Sequence, residues 1–191
     1  CKYSKYLILL ITMKPHYSFI CCILISTLLF TENIYAKGTY QKPDAFINNA
    51  FSQQPPEPDI IWIKDELRVE IENILQHKYK EKRIRYWQKK QRSVWILDEI
   101  GKKKPITTGI IIDKNKISEL KVLIFRETRG WEVRYPFFSK QFNQLSLVNK
   151  NELSDTVDGI SGATLSVRAL TKLARIALLL NQQISLTENI K

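Results

Sequence analysis

Asp158-Gly159-Ile160-Ser161-Gly162-Ala163-Thr164 runs directly into the apolar stretch Leu165 to Leu180. Asp-Gly and Ser-Gly are turn-forming pairs, because glycine takes positive φ without steric cost and Asp or Ser bonds the nearby backbone. From Leu165 onward Ala169, Leu170, Leu173, Ala174, Ile176, Ala177 and Leu180 recur at helical spacing, with Arg168, Thr171, Lys172 and Arg175 on the polar side. A small-residue turn therefore opens an amphipathic helix. The first amides of a helix lack internal partners and carry partial positive charge, so this end offers a seat for a phosphate, with Thr164 at its edge and Arg168 one turn on. On local chemistry alone, an ordinary Asp-Gly turn followed by a Ser/Thr helix cap accounts for such a stretch more often than an anion site does.

The period changes upstream. Ile84 to Gln88, Val94 to Asp98, Thr107 to Asp113 and Ile117 to Arg126 are β-branched or aromatic runs of strand length. Gly101 to Pro105 and Asp113 to Lys116 separate the later ones, the second with the composition of a hairpin turn. Lys64 to Gln76 reads as a helix with Leu67, Ile71, Ile74 and Leu75 on one face. The expected fold is α+β, a single domain with an antiparallel sheet and helices packed on one side. Residues 37–82 read as a helical arm, including a short helix opened by Pro43-Asp44 and ended by the Pro-rich turn Gln53 to Pro58, and residues 83–191 as the main domain. Phe137, Phe138, Phe142, Leu145 and Leu147 read as a short core-facing helix, and Asn149 to Val157 as a polar loop.

Residues 1–36 read as a secretory signal. Met13 and Lys14 precede an apolar run from Phe19 to Phe30, and Ile34-Tyr35-Ala36 resembles a cleavage end. The run is too short to span a bilayer, so the expectation is an exported or periplasmic protein with Met13 as its start. All three cysteines and His16 fall within this segment, leaving His77 as the remaining histidine. Cysteine nucleophiles, disulfide scaffolds and zinc clusters are thereby excluded from the chain beyond residue 36, and no catalytic residue or metal ligand is assigned. His77 sits in a charged run and reads as a solvated surface residue.

The chain carries a net charge of +11. Lys78 to Arg92 holds eight Lys or Arg residues interleaved with Tyr79, Tyr86 and Trp87, the composition of a nucleic-acid surface. Export and the strand pattern argue against nucleic acid and for anionic lipid or an acidic redox partner.

Asp-x-x-Ser-Gly-Ala-Thr resembles the signature of the FMN-binding domain found in the flavin subunits of sodium-translocating NADH:quinone reductases and Rnf-type complexes, and in many small exported flavoproteins. The resemblance covers about residues 93 to 180. It implies FMN held covalently through a phosphoester on Thr164, with Asp158, Ser161, Gly162 and Ala163 matching the rest of the motif. A flavin transferase would install the group from FAD. Glu127-Thr128-Arg129-Gly130 is the second matching place, where Glu127 and Thr128 would bond the flavin's polar edge or tail; Trp131, which no motif specifies, is an aromatic ring next in the chain that could cover a flavin face. Arg129 stands where the electron-transport subunits usually carry proline, so the likeness is to the family rather than to one respiratory subunit. The implied function is an exported electron carrier between a membrane donor and another acceptor. A flavin-dependent reductase with its own small substrate, or an unflavinylated binding or assembly module, stays open.

Overall fold

Residues 83–125 fold as four consecutive strands, as their alternation requires, and a fifth joins from the segment before them. In the computed structural model, residues 38–149 and 151–188 are described; the targeting segment expected over 1–36 lies outside them. The elements run α1 (Pro43–Ala50), β1 (Asp59–Trp62), α2 (Asp65–Leu75), β2 (Arg83–Lys89), β3 (Arg92–Ile100), β4 (Pro105–Asp113) and β5 (Lys116–Phe125). Two single 3-10 turns, Trp131–Arg134 and Lys140–Phe142, bracket the short helix α3 (Pro136–Ser139). A small hairpin of β6 (Leu147–Val148) and β7 (Glu152–Leu153) leads to α4 (Thr164–Glu188).

The sheet is an antiparallel meander in the order β1-β2-β3-β4-β5. Its β4–β5 turn puts both Lys114 and Asn115 at positive φ, 51° and 60°, the twist that a two-residue hairpin needs to match its strands. The architecture is thus α+β, as expected. Residues 38–82, set apart by the sequence as an arm, supply the edge strand β1 and the core helix α2.

Alternation along β3 sorts its side chains to two faces. Trp95 and Leu97 join Ile106, Ile110, Ile112 and Leu120 beneath α2 and α4, where Leu67, Ile71, Ile74 and Leu75 meet Leu170, Leu173, Ala177 and Leu180. Each large aliphatic side chain buried this way contributes about 1.5–3 kcal/mol. Val94, Ile111 and Leu123 face the other way, under Phe46, Ile47 and Ala50 of α1. A helix therefore covers part of the second face as well, beyond the one-sided packing expected.

Helix α4 is fixed along its length by polar contacts. Asn181 accepts a hydrogen bond from the Ser93 hydroxyl at 2.6 Å and donates to Asn115 at 2.8 Å, while Ser93 accepts from Trp95 Nε1 at 2.8 Å. Lys172 donates to the Leu75 carbonyl and lies 3.8 Å from Glu99. These ties hold the helix on the sheet and so set where its first turn stands.

Candidate functional site

Thr164 is the first residue of a 25-residue helix and is exposed, whereas Ala163 just before it is buried. The Ala163 carbonyl accepts the first helical bond, from Val167 N–H at 3.0 Å. Alanine has no side chain with which to cap, and the amides of Thr164, Leu165 and Ser166 donate to no acceptor among the described residues. The helix start is thus left uncapped, with its positive end toward solvent. Asp158, Gly159, Ser161 and Gly162 are exposed around it, and Arg168, one turn along α4, is exposed too.

Gly162 makes this turn possible with φ of 81°, and a Cβ built there or on Gly159 would meet nothing within 4 Å. The backbone at Gly159 and Gly162 is accordingly open to close approach. Upstream the loop is held by Gln141, whose side-chain oxygen accepts the Asp158 N–H at 2.7 Å. Gln141 is a positioning contact that the motif alone does not disclose.

The Glu127 to Gly130 turn reaches the same end of the molecule. Gly130 has φ of 84°, and a methyl group on it would fall 2.5 Å from Ser166 Oγ and 3.5 Å from Ala163 Cα. The two stretches singled out in the sequence are therefore in contact through Gly130 and the first turn of α4. Thr128 and Arg129 are exposed.

Glu127 is already engaged within the chain through one carboxylate oxygen. Its Oε1 accepts the N–H groups of Lys102, Lys103 and Lys104 at 2.6, 2.5 and 2.8 Å, closing the turn between β3 and β4. Partial desolvation works against ionisation, but the three amide bonds outweigh it and hold the carboxyl below its ordinary range. The carboxylate is an anchor for the neighbouring turn.

An aromatic surface follows Gly130 in the chain. The Arg134 guanidinium sits over the rings of Tyr40, Trp131 and Tyr135 at 4.4, 5.1 and 4.8 Å. Trp131 is 41 % exposed and Phe137 64 %. Phe137 thus departs from the core-facing reading of this helix, while Phe138 and Phe142 are fully buried as expected. Arg134 and Tyr135 went unread in the sequence, where the alternation of aromatic and charged residues from Trp131 to Phe137 was the available signal.

His77 is exposed, as expected, and its Nε2 also lies 3.1 Å from both oxygens of Glu99, a carboxylate only 6 % exposed.

The model of the FMN-binding domain family matches residues 101–179. That segment is an FMN-binding domain. The match takes in both the Glu127 to Gly130 turn and the Asp158 to Thr164 motif. No curated protein and no solved structure matches the chain. The matched segment shares its sheet and core with β1, α2, β2 and β3, all of which precede it in the chain. Its uncapped amides, the hydroxyl of Thr164, the nearby Arg168 and the open space before Gly159 and Gly162 form a donor set suited to a phosphate monoester.

Proposed function

We propose that FMN is held covalently by a phosphoester to Thr164 and that the protein is an exported electron carrier. The observation that carries the attachment is an exposed threonine hydroxyl at the uncapped start of a helix within an FMN-binding domain. The Thr164, Leu165 and Ser166 amides and Arg168 hold the phosphate's negative charge, and Gly162 lets the backbone approach it. Trp131 offers a flat, partly exposed ring for the planar portion of the cofactor, backed by Arg134. Glu127 acts at one remove by fixing the turn at Lys102 to Lys104.

Bound FMN supplies reversible one- and two-electron transfer, which the side chains of the protein lack. The chain's own part is to tether, orient and surround the group with positive potential, which favours reduced anionic forms. Export rests on the apolar run Phe19 to Phe30 and the Ile34-Tyr35-Ala36 end. Outside the cytoplasm a lost flavin is not readily replaced, which makes a covalent link useful. A flavin transferase would install it, a membrane-associated redox protein would exchange electrons with it, and nucleic acid has no part.

The test is the intact mass of the protein produced together with a flavin transferase, beside Thr164→Ala. FMN less one water, present in the parent and absent from the variant, is the expected result. Unmodified mass in both would refute covalent attachment.

A further inference from the structure

The sheet is not continuous between β2 and β3. Their pairing runs from Lys89↔Arg92 to Tyr86↔Trp95 and stops there, at two rings stacked 5.0 Å apart. Beyond that point Arg83 to Arg85 pair only with β1, and Ile96 to Ile100 pair only with β4. The chain entering β2 is drawn toward α2 instead: Glu72 accepts the Tyr79 N–H at 3.0 Å, and Arg68 donates to the carbonyls of Tyr79, Glu81 and Ile63. No backbone bond among the described residues closes the free edge of β3. A cleft of about 900 Å³ occupies the fork, lined on both sides by these strands.

Such an edge is a row of unpaired donors and acceptors, the usual template for another strand. Its free part, Ile96 to Ile100, would accommodate a segment of about five residues at ~3.3 Å each. Ile60 and Ile100 line the cleft at 39 % and 55 % exposure, giving apolar seats for alternate side chains. The charges are asymmetric. Asp98 is engaged by Thr107 and Arg126, Glu99 by His77 and Lys172, and Lys78 by Glu72. Among the lining residues this leaves Lys80, Arg83 and Arg85 without an ion-pair partner among the described residues, against Glu81 alone, with Arg83 resting on the Trp62 ring.

We propose that the fork between β2 and β3 is a docking site for an extended acidic segment of a partner protein, which adds as a strand along Ile96 to Ile100 and sets its carboxylates against Lys80 and Arg85. The site is separate from Thr164 and does not depend on flavin. Main-chain pairing supplies the direction and the basic rim supplies the selectivity.

The probe is a blocked peptide of about ten residues alternating Glu and Val, titrated into the purified protein up to millimolar concentration, with backbone amides followed by NMR and hydrogen exchange. Saturable shifts and slowed exchange at Ile96 to Ile100 are expected. A Lys/Val peptide, a backbone N-methylated Glu/Val peptide, and the parent peptide on a Lys80→Glu, Arg85→Glu variant should each bind about tenfold more weakly or less. The variant's spectrum away from the cleft verifies that it is folded. Absence of shifts, or equal binding by the N-methylated or Lys/Val peptide, overturns the proposal. So does protection of Ile96 to Ile100 before any peptide is added: protection that grows with protein concentration assigns the edge to a second copy, and protection independent of dilution assigns it to the chain itself.

Discussion

Gly130 and Ser166 approach so closely that a single added methyl group would lie 2.5 Å from the serine oxygen. This contact joins the turn after β5 to the first turn of α4. Gly130→Ala must therefore absorb both a positive φ and a collision, at a cost of about 1–3 kcal/mol. Gly162→Ala carries the positive φ without the collision, since its Cβ would meet open space, and should cost about 1 kcal/mol. Urea unfolding of the two variants tests the ordering, and equal midpoints would contradict it.

Replacing Glu127 by Gln should destabilise the protein by about 1–2 kcal/mol at neutral pH, through weakened acceptance of the Lys102, Lys103 and Lys104 amides. Because the folded carboxyl titrates below its ordinary range, its contribution is present above the unfolded-state pKa and fades as pH falls through the folded one. The gap between parent and variant should thus narrow on acidification below about pH 4. Paired unfolding curves at neutral and acid pH measure it, and a gap that widened toward acid would be the wrong sign.

Phe137 and Phe138 are neighbours with opposite surroundings. Phe138→Ala empties a fully buried site and should cost about 3–5 kcal/mol, whereas Phe137→Ala should stay within about 0.5 kcal/mol. Thermal unfolding of both separates them at once. A large loss in Phe137→Ala would mean that the aromatic surface holds the fold together.

Ser93 and Asn181 form a buried pair between β3 and α4. Removing either leaves a polar group unsatisfied, so Ser93→Ala and Asn181→Leu should each cost about 1–3 kcal/mol. The double variant should cost less than their sum by about 1 kcal/mol. A double-mutant cycle in urea reads the coupling, and strict additivity would show that the pair acts as two independent residues.

Much of this could be read before any coordinates. The helix over Leu67 to Leu75, the four strands between Arg83 and Phe125 and the start of α4 at Thr164 each repeat a clear period over enough residues to show it. Strand β1 escaped because it has four residues, stays largely exposed, and draws its stability from partners at Arg83 to Tyr86 that lie far along the chain. Helix α3 is equally short, so no period could sort Phe137 from Phe138. At the site, the motif residues were legible as a contiguous string. The Gln141 hold on Asp158, the three amides gathered by Glu127 and the contact of Gly130 with Ser166 each join residues well separated in sequence, and a linear pattern carries no trace of them.

The boundary between Ala163 and Thr164 divides two kinds of work. Ala163 is packed into the core, whereas Thr164, one residue later, is exposed to solvent. The fold is thus built without the attachment, and under the proposed reading loading would be a finishing step performed on a folded object. If Thr164 carries the flavin as proposed, a lineage that lost the threonine would lose its cargo and keep its shape.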